Sequence, residues 1–240
     1  MKKLFLSCEH AGNKVPANLR PLFKGADEVL ATHRGWDIGA LRLFKALVPL
    51  VDHSAFETMS RLCIEMNRSI DNPELFSTYS KVANNEQKAF MLNLYHAYRS
   101  HFTTAVKDSI GAGHSVFHIS VHSFTPVLNG DVRHVDIGLL YDPACALEHS
   151  FCSKWKQELE REFLDLKVRM NEPYKGTDDG FTTALRQEFH GRHSRHASAG
   201  HGNYAGIEIE VNQHFAPLGV MDKKIIEGIK VALENALARA

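Results

Sequence analysis

Five short segments of this chain hold the residue types that hydrolytic chemistry needs. The first, Ser7 to Gly12 (SCEHAG), sets Glu9 beside His10 and follows them with a glycine that permits a tight turn. A carboxylate next to an imidazole suits a metal site, either as two ligands or as a ligand with its hydrogen-bonded partner. A histidine in an ordinary turn is the plainer reading. The second, His33 to Ala40 (HRGWDIGA), presents Asp37 between two glycines, as a third ligand or as the cap of a following helix. The third, Ser60 to Arg68 (SRLCIEMNR), brings Arg61, Asn67 and Arg68 together, and arginine offers a planar pair of donors to a carboxylate. A surface ion pair of Arg61 with Glu65 is the alternative.

The fourth segment, His118 to Pro126 (HISVHSFTP), alternates so that His118, Ser120 and His122 share one face of a strand. His122 is the better metal ligand, being nearer the strand end. His118 is too far back along an extended chain to touch the same ion, and is expected to be packed and hydrogen-bonded. The fifth, Gly206 to Gln213 (GIEIEVNQ), lines Glu208, Glu210 and Asn212 on one face, opposite Ile207, Ile209 and Val211. Carboxylates on a buried face are costly unless paired or bound to a cation. Glu210 is then the candidate general base, taking a proton from water and returning one to a leaving amine. An edge strand with one wet face is the competing reading. A sixth feature is the stretch holding His190, Arg192, His193, Arg195, His196 and His201, read either as a positively charged cover over an anionic substrate or as a surface loop.

Other chemistries lack their signatures. There is no GxSxG elbow, and Ser123 beside His122 cannot form a triad with it. Cys8 and Cys63 have no evident histidine relay, and the glycines follow neither GxGxxG nor GxxxxGK[ST].

The elements that must carry these segments follow from hydrophobic periodicity. Lys3–Cys8, Val116–His122 and Ala205–Val211 read as buried strands, and Leu50–Asp52, Leu62–Met66, Val135–Leu139 and Leu166–Met170 as shorter ones. Arg34–Leu47, Asn84–Ile110, Ala144–Leu164 and Leu218 onward read as helices, while Asn171–Gly202 reads as a long polar segment. Strands separated by helices imply a largely parallel sheet covered on both faces, whose ligands collect at the carboxyl ends of strands. The chemical segments fall at such ends. The 240 residues, 44% of them hydrophobic, are expected to form a single domain, 1–240. Equal numbers of basic and acidic residues, 28 each, point away from nucleic acid. The apolar run at the N-terminus is too short for an export signal, nothing reaches membrane-span length, and four irregularly spaced cysteines fit reduced thiols in the cytoplasm. The sequence carries no signal for an oligomeric state.

Taken in order, SCEHAGNKVP, WDIGA, SRLCIEMNRS, HSFTP, VDIGLLYDP, NEPYKG and GIEIEVNQ resemble the N-formylglutamate amidohydrolase family across nearly the whole chain, and the family is distantly similar to zinc-dependent aspartoacylases and carboxypeptidases. The resemblance implies a three-layer α/β/α domain of the phosphorylase/hydrolase-like kind with a mostly parallel or mixed central sheet. It implies one divalent ion, Zn2+, held by His10, Asp37 and His122, with Glu9 as the competing carboxylate. Glu210 then acts as base, Arg61 stabilises the developing oxyanion, and Asn67, Arg68 and Ser123 bind a small acidic N-acyl amino acid. Glu65 stands where relatives tend to carry aspartate. The alternatives are the same reaction on another N-acyl or peptide-like amide, and a metal- or ligand-binding α/β protein without catalysis.

Overall fold

The structure is a computed structural model that describes residues 1–190 and 203–239. Eight strands occur in the described residues: β1 (Lys2–Cys8), β2 (His53–Phe56), β3 (Ser115–Phe124), a hairpin of β4 (Val127–Leu128) and β5 (Asp131–Val132), β6 (Ile137–Leu140), β7 (Val168–Met170) and β8 (Tyr204–Asn212). Outside the hairpin, the strands form one sheet in the order β2-β1-β3-β8-β6-β7. It is mixed: β2, β1, β3 and β8 run parallel, and β6 pairs antiparallel with β8.

Six helices among the described residues accompany the sheet: α1 (Asp27–Leu30), α2 (Ala40–Leu47), α3 (Asn85–Gly111), α4 (Ala146–Glu162), α5 (Phe181–His190) and α6 (Lys223–Ala238). Alternation along the strands divides the core in two. Leu4 and Leu6 of β1, Phe117, Ile119 and Val121 of β3, and Ile207, Ile209 and Val211 of β8 pack against α2, α4 and α6. Phe5 and Val116 face the other way, toward α3 and α5. Helices therefore cover both faces, giving the expected three layers. The second face also carries the polar positions of β1, β3 and β8, so the chemistry lies beneath α3 and α5. Helix α3 starts at a capping box, in which Asn84 Oδ1 accepts from Gln87 N at 2.9 Å and Gln87 Oε1 accepts from Asn84 N at 3.1 Å. No helix among the described residues is long and apolar enough to cross a membrane.

Four expected elements differ. The helix expected from Arg34 begins only at Ala40, because Gly39 adopts φ +87°, and a Cβ there would meet Ala216 Cβ at 2.9 Å. The strand expected at Leu50–Asp52 lies instead at His53–Phe56, since Val48–Leu50 closes a 3-10 turn around Pro49. Leu62–Met66 is not a strand. Leu62, Cys63, Ile64, Glu65 and Met66 are all buried, and the backbone is satisfied by turns such as Cys63 N to Ser60 O and Glu65 N to Leu75 O. With the segment covered all round, its alternation marks no wet face. Finally, Asn171–Gly202 contains α5, whose inner face buries the polar Thr182 and Arg186 beside Phe181 and Leu185.

Candidate metal centre and active site

Four loops and two central strands converge on one pocket. Past the end of β1 the chain turns at Glu9 and His10, packed so tightly that a Cβ on Gly12 would stand 2.8 Å from Thr58 O. The loop before α2 is tied to this turn by Asp37 N donating to His10 O at 3.0 Å. Asp37 does not cap α2, whose N-cap is Gly39 with no side-chain bond. Its carboxylate turns inward instead and is 3% exposed. His122 Nδ1 lies 2.8 Å from Asp37 Oδ2 and His10 Nδ1 lies 3.4 Å from the same oxygen. Among the described residues, His10, Asp37 and His122 are the group whose ligand atoms all fall within 4.8 Å of one another.

What stands behind each imidazole determines what it offers in front. His10 Nε2 contacts Glu65 Oε1, and Arg61 donates to Glu65 Oε2 at 2.8 Å. His122 Nε2 lies 2.8 Å from Ser120 Oγ and 3.3 Å from Glu9 Oε2. Ser120 Oγ spends its one proton on Glu9 Oε2 at 2.5 Å, and Tyr98 donates to Glu9 Oε1 at 3.1 Å. Ser120 must therefore accept from His122 Nε2, and Glu65 can only accept from His10 Nε2. Each neutral ring is left with the lone pair of Nδ1 directed at Asp37 Oδ2. Two lone pairs and a carboxylate oxygen within hydrogen-bonding distance need positive charge between them.

The charge balance agrees. Glu9, Asp37, Glu65 and Glu210 are all buried, and Arg61 is the arginine paired with this cluster. Burial opposes ionisation of Glu9 and Asp37, yet hydrogen bonds and charge from His122, and for Asp37 from His10, hold both carboxyls far below the usual range. Burial also opposes protonation of the histidines, but Glu65 and Asp37 raise His10, and Asp37 and Glu9 raise His122 well above the ordinary value. The buried carboxylates thus call for positive charge at the two imidazoles, a need that protons or one divalent cation would meet, and the donor set of two histidines and one aspartate fits such an ion.

Glu210 sits on β8 directly beside His122 of β3. The edge-strand reading fails, because β8 lies between β3 and β6. Glu210 is 6% exposed and its Oε2 has no hydrogen-bond partner among the described residues. Burial, helped by Asp37 and Glu208 and opposed by His122 and Arg61, pushes its pKa up to about 8. Gly138 on β6 makes the room, since a Cβ there would collide with Glu172 O at 2.1 Å and reach Glu210 Cβ at 3.4 Å.

The pocket is a cleft of about 610 Å³, part of it open to solvent. Arg61 lines it while donating to Asp37 Oδ1 at 3.2 Å, so its pairing with Glu65 belongs to the buried cluster. Arg68 also lines it, held by Asp179 O at 2.6 Å and Asn67 O at 3.2 Å, with no carboxylate within ion-pair distance among the described residues. Asn67 accepts from Phe181 N at 2.7 Å and places Nδ2 3.4 Å from His122 Nε2. Ser123 lines the cleft, but its hydroxyl donates to Ile38 O at 2.8 Å. Glu208 receives a bond from Thr182 at 2.7 Å. His118 is bonded away from the centre, as expected, to Ser7 and Tyr204 at 2.7 Å each. Of the basic stretch read from the sequence, His190 is the last residue of α5, and Arg192, His193, Arg195, His196 and His201 lie outside the described residues. Sequence reasoning did not assign Glu65, Ser120 and Tyr98 as the partners behind the histidines. Glu65 comes from a loop and Tyr98 from a helix distant in the chain, while for Ser120 the strand face it shares with His122 was the one available signal.

The three-layer α/β/α sheet thus carries a buried histidine–carboxylate centre at the ends of its parallel strands, a donor set that suits metal-assisted hydrolysis. The sequence profile of the N-formylglutamate amidohydrolase family matches residues 2–216. The chain belongs to that family and is an amidohydrolase. Among solved structures it is similar to the gene product Atu2144 from Agrobacterium tumefaciens, with 23% identity, a TM-score of 0.79, and coverage of 99% of this chain and 91% of that one. It is also similar to N-formylglutamate amidohydrolase from Ralstonia eutropha JMP134, with 16% identity, a TM-score of 0.65, and coverage of 98% and 93%. At these identities the likeness establishes the fold. Comparison with curated proteins gives no match.

Proposed function

We propose that this chain hydrolyses the amide bond of a small, acidic N-acyl amino acid of the N-formylglutamate kind, with one divalent ion, zinc, held by His10, Asp37 and His122. The observation that carries this reading is the convergence of two histidine Nδ1 atoms on one Asp37 oxygen, beside a buried Glu210 oxygen that has no partner among the described residues. When bound, such an ion lowers the pKa of water and polarises a carbonyl.

The protein's own residues supply the rest. Glu210 takes the proton of the attacking water and returns it to the leaving amine, a task suited to a carboxyl whose pKa burial has brought near neutrality. Positive charge at the trio favours its ionised form. Arg61, already anchored on Glu65 and Asp37, faces the oxyanion that develops on the carbonyl oxygen. Arg68 has no ionic partner among the described residues and binds a substrate carboxylate, while Asn67 orients the bound substrate; Ser123, whose hydroxyl is engaged by Ile38 O and Gln213 Nε2, lines the wall beside it. Four free cysteines, three of them buried, support a cytoplasmic setting.

The test is hydrolysis of N-formyl-L-glutamate beside N-acetyl and dipeptide analogues, with metal content by mass spectrometry. One zinc per chain and turnover of the formyl substrate are expected. In Glu210→Gln, bound zinc is expected to stay while kcat falls by about 10²–10⁴-fold. Near-normal turnover in that variant overturns the assignment of the base.

A further inference from the structure

Among the polar groups of the cleft that the proposed mechanism leaves unused is the phenol of Tyr174. Tyr174 lines the cleft with Arg61, Arg68 and Glu210. It stands in a turn held at both ends by Asn171, whose Oδ1 accepts from Tyr141 N at 3.0 Å and from Gly176 N at 2.9 Å. A Cβ on Gly176 would stand 2.1 Å from Tyr141 N, so the turn is pressed directly onto the backbone after β6. The position of Tyr174 is thus set by the scaffold, although its side chain is accessible, the residue being 38% exposed.

A second element fixes the phenol. Arg133, just after the β4–β5 hairpin, donates from Nη1 to Tyr174 Oη at 2.7 Å. Its guanidinium lies over the Tyr174 ring at 4.8 Å and over the ring of Phe124 at 5.7 Å. Phe124 is two residues beyond His122 on β3. Because Oη is the acceptor from Arg133, its own proton is available, and that proton has no acceptor among the described residues. A cationic donor on the oxygen also makes the O–H a stronger donor. The tyrosine borders the same cleft as Asp37, Arg61 and Glu210.

We propose that Tyr174 is a catalytic residue that donates a hydrogen bond to the oxygen of the scissile amide as negative charge grows there, and that Arg133 is its positioning residue. This rests on the amide-hydrolase reading above. No bond is made or broken at Tyr174. The donor strengthens as the carbonyl oxygen becomes an oxyanion, so it acts on the transition state more than on the bound substrate.

The experiment measures kcat and KM for N-formyl-L-glutamate, with zinc content and thermal midpoint, in wild type, Tyr174→Phe, Arg133→Met and the double variant. Phenylalanine keeps the ring and removes only the hydroxyl. Tyr174→Phe is expected to lower kcat by about 10²-fold, with KM changed less than about twofold and zinc content unchanged. Arg133→Met is expected to lower kcat by about tenfold and to add nothing in the double variant, because it acts through the same hydroxyl. An active wild type with undiminished kcat in Tyr174→Phe overturns the tyrosine's role alone. A rise in KM at constant kcat also overturns it, and additive losses in the double variant overturn the link to Arg133. A wild type that hydrolyses no N-acyl amino acid overturns the underlying reading and the tyrosine's role with it.

Discussion

His118 provides a quantitative check on how the centre's strands are held together. It has no solvent exposure, and it joins three neighbouring strands, with Nε2 2.7 Å from Ser7 Oγ on β1 and Nδ1 2.7 Å from Tyr204 Oη on β8. Phe102 of α3 covers it at 4.5 Å between ring centroids. Burial above all, opposed by Glu9 and reinforced by Arg186, brings its pKa down to about 3 from an ordinary 6.5. Between those two values the unfolded chain binds a proton that the native protein refuses. Stability therefore rises with pH across this window, and is lost as pH falls below 6.5 toward 3. A single group with these two pKa values contributes a loss of about 2 kcal/mol at pH 5, nearly all of it absent at pH 7. Other buried groups also titrate, so the measurement is a difference. Wild type and His118→Gln are unfolded in urea at pH 7 and pH 5. Glutamine keeps hydrogen-bonding capacity and does not titrate, so its packing cost enters at both pH values. The stability of wild type relative to the variant is expected to drop by about 2 kcal/mol on acidification. A relative stability constant to within about 0.5 kcal/mol would refute the claim that the buried ring is held neutral.

Three further perturbations address the centre and the scaffold. Glu9→Gln weakens the acceptor network behind His122 and is expected to reduce zinc affinity about 10–100-fold in competition with a chromophoric chelator, with kcat largely restored at saturating zinc. Arg68→Ala is expected to raise KM for N-formyl-L-glutamate on the order of tenfold or more, and Arg68→Lys to recover only part of it, because an ammonium lacks the planar fork; steady-state kinetics with an uncharged analogue should show little change. Asp222 accepts from Lys224 N at 2.6 Å at the start of α6, so Asp222→Ala is expected to cost about 1 kcal/mol, seen as a fall of roughly 2–4 °C in thermal midpoint without loss of turnover.

The parts of this protein legible in sequence are those that local periodicity encodes. A buried apolar run marks β1, while alternation over His118–His122 of β3 and Ile207–Asn212 of β8 marks both strands and their faces and singles out His122 and Glu210 as polar positions near the strand ends. Alternation misleads at Leu62–Met66, where burial on all sides removes the contrast that makes a period meaningful. Helix α5 is hidden for the opposite reason. Its buried Arg186 is satisfied by Glu148 and by the carbonyls of Gly176 and Gly206, so a charged residue occupies a core position.

By itself, then, the sequence determined the layered α/β architecture, the family, and the residues His10, Asp37, His122 and Glu210 as candidates for the chemistry. Only the tertiary structure decided how they divide the work. It gathered residues 10, 37 and 122 around one carboxylate oxygen, put Glu65 and Glu9 behind the imidazoles rather than among the three converging groups, and left one oxygen of Glu210 without a partner among the described residues. The reason is that a side chain's role here depends on which lone pair faces which donor, and those pairings join residues as much as 111 positions apart in the chain.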